Sequence, residues 1–162
     1  MTLERIIQFR TLHNRFMQML GIRVAEVEEG YAKCEMPVQE DFYNPNGSVH
    51  GGVIFTLADC VGGYAAATYG MRCTTLDANI SYLKPAIGSK VLYGEAKEVK
   101  HGRTVLVFDV YVTDETGLLI AKSTVTYFSL GVPIPETEEE EDNLKEKRER
   151  IAAPEGAAQQ AG

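Results

Sequence analysis

Two strand-like runs, one long apolar helix and four further strand-like runs, in that order, predict an α+β domain in which an antiparallel sheet wraps around a single central helix. The helix is read from residues 51–69, GGVIFTLADCVGGYAAATY, which are apolar almost all round. In a globular chain that composition marks a helix covered on most of its faces. The strands are read from period-two alternation bounded by turn residues, and the antiparallel pairing from connections too short for crossovers.

Leu3, Ile6, Ile7, Leu12, Phe16, Met19 and Leu20 fall at an approximate helical period, which predicts one amphipathic N-terminal helix ending near Gly21. Ile22–Glu29 and Tyr31–Pro37 follow as a hairpin about Gly30. In the second of these, Ala32, Cys34 and Met36 alternate with Lys33 and Glu35, the pattern of a half-buried strand. Val38–His50 holds Asn44, Pro45, Asn46, Gly47 and Ser48 and is predicted to be a loop. After the helix, Cys73–Tyr82, Lys90–Lys100, Arg103–Asp114 and Leu118–Leu130 are predicted strands, arranged as a meander.

The chain has 162 residues, 44% hydrophobic and 24% charged, which fits one domain able to bury a core without disulfides or metals. The domain is expected over 1–132. Residues 133–162 are expected to form a charged, mobile tail, helical in part between Glu138 and Ile151 through acid-to-base pairs. The net charge of −7 is concentrated there: nine acids and four bases after residue 135 leave −2 for the rest. No basic stripe suits a nucleic-acid backbone, so no nucleic-acid partner is expected. No apolar run is long enough for a membrane span, and the charged start MTLERIIQFR lacks the core of a signal peptide. A cytoplasmic location without a membrane partner is the expectation. Cys34, Cys60 and Cys73 are odd in number and widely spaced, as free packing thiols are.

Asp59 is the one residue on the apolar helix that is charged at neutral pH in water. An unpaired buried carboxylate costs several kcal/mol, so Asp59 either has a structural partner or stands at a cleft open to water and substrate. Its mid-helix position removes a capping role. Gly51 and Gly52 open the helix, where first-turn N–H groups lack intrahelical acceptors and carry the positive end of the helix dipole. Such an end can hold a developing oxyanion, or the glycines can simply allow a tight turn. No Gly-x-Ser-x-Gly elbow is present. His13, His50 and His101 do not combine with acids at zinc-site spacing, so no metal or other cofactor is expected.

Asn44-Pro45-Asn46-Gly47-Ser48-Val49-His50-Gly51-Gly52, followed by Leu57-Ala58-Asp59, resembles the PaaI-like branch of the hotdog-fold acyl-CoA thioesterases. The strand Asp77–Ala86, the turn His101-Gly102-Arg103 and the segment Gly117–Ala121 are also similar, so the resemblance spans residues 15 to 130. It implies the hotdog fold and hydrolysis of an acyl- or aryl-CoA thioester by a homodimer or dimer of dimers with shared sites. It implies Asp59 as general base or nucleophile, the Gly51 N–H as oxyanion donor, Asn44 as the side chain orienting the thioester and His50 as the buttress of its loop. Thr75 stands where relatives place a hydroxyl that holds the attacking water.

Lys84, Lys100 and Arg103, at strand ends and turns, are candidates for the phosphates of coenzyme A. The acyl group is expected in an apolar tunnel against Phe55 or Tyr64. A non-catalytic acyl-CoA-binding hotdog module and a hotdog enoyl-CoA hydratase are the alternatives. The first would not require Asp59, and the second would use a His paired with an acid.

Overall fold

The computed structural model describes residues 2–152, so residues 153–162 of the expected tail lie outside the described residues. Its centre is helix α3 (Gly51–Ala67), whose Ile54, Leu57, Ala58, Val61 and Tyr64 are buried. A six-stranded antiparallel sheet curls around it. The strands are β1 (Arg23–Glu28), β2 (Tyr31–Pro37), β3 (Met71–Tyr82), β4 (Val91–His101), β5 (Val105–Asp114) and β6 (Leu119–Pro133). Their order across the sheet is β1-β2-β4-β5-β6-β3. The inward residues alternate as the pleat requires: Ala32, Cys34 and Met36 on β2, and Leu106, Phe108, Val110 and Val112 on β5, all buried.

The opening segment differs from the single helix expected. It forms α1 (Leu3–His13) and α2 (Arg15–Met19), broken at Asn14. Asn14 leaves helical geometry at φ −104° and ψ 79°, and its side-chain oxygen accepts the Met17 N–H at 3.0 Å. It thereby caps the second helix, a role Asn fills better than a helix interior. The break changes the buried set to Ile6, Met17 and Leu20, leaving Leu12, Phe16 and Met19 exposed.

The four-strand meander also needs correction. Strands β4, β5 and β6 are consecutive neighbours, but β3 pairs with β6, at the sheet edge. The reason lies in the link after β3, which crosses strand ends instead of turning back. Leu83 and Lys84 donate their N–H groups to the Ile120 carbonyl, and the Ala86 carbonyl accepts from Val49 beside the start of α3. Val38 then donates to the Lys90 carbonyl as the chain enters β4 beside β2.

A register shift lies between Thr75 and Asp77 on β3. Leu76 is the extra residue of this bulge, 61% exposed. Before it Cys73 faces the core, and after it Ala78 and Ile80 do, so the inward set changes from odd to even positions. Beyond β6, Ile134 is buried with Ile6 and Ala67. Helix α4 (Glu138–Ala152) follows, and its Glu141 accepts from Arg5 of α1 at 2.6 Å. Among the described residues no helix is long and apolar enough to cross a membrane.

Helix and sheet approach closely at Gly94 of β4, where an added Cβ would lie 3.1 Å from Val61 Cγ1 and 3.2 Å from Leu57 Cγ. Gly94→Val is expected to lower stability by about 1–3 kcal/mol, measured by urea unfolding, despite the higher strand propensity of valine.

Candidate active site

Helix α3 begins where His50 turns the chain out of extended geometry, at φ −60° and ψ 134°. The His50 ring Nδ1 accepts the Gly52 N–H at 3.0 Å, and the His50 carbonyl accepts from Val53 at 2.9 Å. The ring thus spends its acceptor on the second orphan N–H of the helix. The Gly51 N–H, with no intrahelical acceptor by the rule of helix starts, borders a cleft of about 290 Å³ that Asn44, Tyr82 and Lys84 also line. Gly51 lies close against Tyr82: a Cβ would stand 3.1 Å from its ring, and the Tyr82 hydroxyl donates to the Gly51 carbonyl at 2.8 Å.

Asn44 organises the loop that leads into this helix. Its Oδ1 accepts from the Asn46 and Ser48 N–H groups at 2.9 and 3.3 Å, and its Nδ2 donates to Ser48 Oγ at 3.0 Å. Gly47, at φ +76°, takes the left-handed position this turn needs. Next to the loop, the His50 N–H donates to the Phe42 carbonyl at 2.8 Å.

Asp59 lies two turns further along α3, half-buried. The Thr75 hydroxyl donates to its Oδ1 at 2.7 Å. The Tyr127 hydroxyl donates to the Asp59 carbonyl at 2.7 Å and reaches the same Oδ1 at 3.4 Å. Burial, and then the Asp59 charge, hold the Tyr127 hydroxyl well above its ordinary pKa, so it remains a donor. Gly62 makes room for it, since a Cβ there would lie 2.6 Å from the Tyr127 oxygen. Nothing in the alternating pattern of β6 distinguished Tyr127 from a packing residue. Arg10 was also missed: its guanidinium stands over the Tyr64 ring at 5.2 Å, with Nε buried and without a hydrogen-bond partner among the described residues.

The expected site residues therefore form two groups within the chain. Asn44, His50 and Gly51 gather at the start of α3, and Asp59 and Thr75 meet at its middle. The three candidate cations do not converge: Lys84 borders the Gly51 cleft, Arg103 borders a second cleft with Cys73 and Ala66, and exposed Lys100 lines neither. Tyr64 is not available to an acyl group. It is fully buried, and its hydroxyl is engaged by Thr11 at 2.7 Å and Met17 Sδ at 3.4 Å. Phe55 is half-buried and lines neither cleft. The three cysteines are free, and burial pushes the Cys34 thiol up to about 12 and the Cys60 thiol to about 11. Among the described residues no three His, Cys, Asp or Glu side chains are grouped to hold a metal.

Residues 46–121 match the Thioesterase superfamily. Human acyl-coenzyme A thioesterase 13 is 31% identical over 134 residues, covering 77% of this chain and 92% of its own. The structure of Escherichia coli PaaI, from the phenylacetic acid degradation operon, shares the fold with a TM-score of 0.76 at 24% identity, over 82% of this chain and 98% of that one. A hypothetical thioesterase from Streptococcus pneumoniae, solved with coenzyme A, is 28% identical with a TM-score of 0.67, over 73% of this chain and 99% of that one. That protein has also been solved with a threonine and, separately, an aspartate replaced by alanine, at positions 16 apart. With the hotdog architecture of one long helix in a curled antiparallel sheet, this chain belongs to the thioesterase superfamily, in its PaaI-like branch, and is a thioester hydrolase.

Proposed function

We propose that the protein hydrolyses an acyl- or aryl-CoA thioester to the free acid and coenzyme A, with Asp59 as the catalytic carboxylate. The observation that carries this reading is the Thr75 hydroxyl on Asp59 Oδ1 at 2.7 Å. It fixes one carboxylate oxygen and leaves the other for the reaction. Asp59 and Thr75 are 16 positions apart (75 − 59), the spacing of the two replaced residues in the Streptococcus pneumoniae protein. The free oxygen either takes a proton from water, whose hydroxide adds to the thioester carbon, or attacks that carbon itself. By the first route the C–S bond then breaks and Asp59 returns the proton to the departing coenzyme A thiolate. By the second the thiolate is expelled and a mixed anhydride is left on Asp59, which water then hydrolyses, its two protons going to the thiolate and to the carboxyl groups released.

Charge develops on the carbonyl oxygen during this addition, and an N–H donor aimed at it is worth about 10²–10³ in rate. The Gly51 N–H is the donor available, with His50 tying the next N–H to its own ring. Asn44 keeps the loop in place beside it, and Lys84, bordering the same cleft, is suited to a CoA phosphate. A non-catalytic acyl-CoA-binding module would not require the carboxylate that Thr75 orients. A hydratase would call for a His paired with an acid, whereas His50 Nδ1 is occupied by a backbone N–H.

Gly51 and Asp59 are eight residues apart on one helix, so about 12 Å separates them along its axis. One carbonyl cannot touch both. A second copy of the chain resolves this, its Gly51 facing the Asp59 of the first across a two-fold axis. The sheet supports such a dimer, because β3 ends the strand order and carries exposed Met71, Leu76 and Tyr82. A dimer of dimers would repeat the same shared sites.

Asp59→Asn is expected to keep the fold and reduce kcat by about 10²–10⁴, measured as CoA release with a thiol reagent; retention of more than about a tenth of the activity would remove Asp59 from the chemistry. Tyr127→Phe is expected to lower kcat about tenfold, the worth of one hydrogen bond that positions Asp59 through its backbone carbonyl, with KM unchanged. An unchanged kcat would leave Tyr127 with packing alone. Mixed Asp59→Ala and Asn44→Ala subunits, each inactive alone, should regain activity on subunit exchange, with at most one intact site per heterodimer. Heterodimers seen by native mass spectrometry but without activity would assign both residues to the same chain's site.

A further inference from the structure

We infer that the second cleft, bordered by Ala66, Cys73, Leu106 and Ser129, is the acyl pocket, and that it takes an apolar acyl group the size of an aromatic ring or a medium-length chain. This rests on the proposal that Asp59 acts on the thioester carbonyl. Three elements lead from that carboxylate into the cleft. Ala66 follows Asp59 by seven residues on α3, two turns on the same face and about 10 Å along the axis. Cys73 is two residues from Thr75 on β3, on the same face and about 7 Å away. Ser129 is likewise two residues from Tyr127 on β6, and the pairs Thr75–Tyr127 and Cys73–Ser129 are alternate rungs of the β3–β6 ladder, on one face, with Thr74–Phe128 between them.

A thioester carbonyl held at Asp59 and Thr75 therefore has this cleft next in line within the same chain. The volume is about 290 Å³, and an apolar cavity of about 150 Å³ already accepts a benzene ring. Its inner lining is apolar, from Ala66, Cys73 and Leu106, and among the described residues no carboxylate lines it. One wall is the Tyr69 ring stacked on His101 at 3.6 Å. Exposed Arg103 stands at the mouth. The Gly51 cleft, with Lys84 and Asn44, offers the more polar surroundings that the coenzyme portion requires.

Cys73→Leu and Ser129→Leu each fill the cleft without touching Asp59. Both are assayed with acetyl-, hexanoyl- and benzoyl-CoA after thermal unfolding has verified folding. The expected result is a fall of about tenfold or more in kcat/KM for the hexanoyl and benzoyl esters, with acetyl-CoA within about twofold of wild type. An equal fall for all three esters would place the coenzyme portion in the cleft and overturn the assignment, as would no change for any. A second readout does not depend on turnover: in calorimetry with Asp59→Asn, hexanoyl-CoA should bind more tightly than CoA alone, and adding Cys73→Leu should erase that difference. Absence of hydrolysis by the wild type would refute the catalytic proposal while leaving this binding comparison decisive for the pocket. A difference that survives Cys73→Leu would overturn the pocket assignment.

Discussion

A 17-residue helix that is apolar on nearly every side is stable in water only where something covers it around most of its circumference. One flat sheet covers a single face. A six-stranded sheet with the usual right-handed twist can curl far enough to cover several, and the long inward-facing rows on β2, β5 and β6 meet α3 along its length. The closeness of that embrace depends on small residues, as at Gly94 against Leu57 and Val61 and at Gly62 against Tyr127. Where the sheet stops short, at the β3 edge, Asp59 stands half-buried. The polar exception on the helix thus coincides with the gap in its cover.

That gap is shaped by the bulge at Leu76. Without an extra residue, strict alternation could direct either Thr75 or the pair Ala78 and Ile80 towards the helix, but not both. The shift in register lets the first part of β3 offer a hydroxyl to Asp59 while the second part still packs on the core. Tyr127, paired with Thr75 across the ladder, completes the arrangement from β6. The Thr75 hydroxyl on one carboxylate oxygen, with Tyr127 anchoring the Asp59 backbone carbonyl beside it, restricts the side chain and leaves its remaining oxygen directed elsewhere.

Much of this was legible in the residues themselves. The central helix was visible from its composition, the strands from alternation, and Asp59 and Gly51 from being out of character with their surroundings. Thr75 was reached through family resemblance alone, because a Thr on a strand is unremarked by pattern. Tyr127 gave no signal, since an inward aromatic on an alternating strand reads as core until its hydroxyl finds a partner. The helix break at Asn14 was hidden because apolar spacing continued across it, and Leu12, Phe16 and Met19 counted towards a face they do not share with the core. The place of β3 beyond β6 was hidden for a different reason. Local turn chemistry describes neighbours in sequence, whereas the link over 83–90 is held by backbone groups distant in sequence, the Ile120 carbonyl and the Val49 and Val38 N–H groups.

The exposed edge of β3 also bears on how the chain avoids indiscriminate association. A long edge strand with unpaired backbone groups is a template for any other extended chain, including misfolded copies. Here the bulge interrupts the regular spacing of those groups, and Asp77, exposed immediately after it, adds a charge that extended apolar segments tolerate poorly. Such an edge accepts only a partner whose own irregularity falls in a compatible position. The kink that turns Thr75 towards Asp59 therefore doubles as a gatekeeper against aggregation.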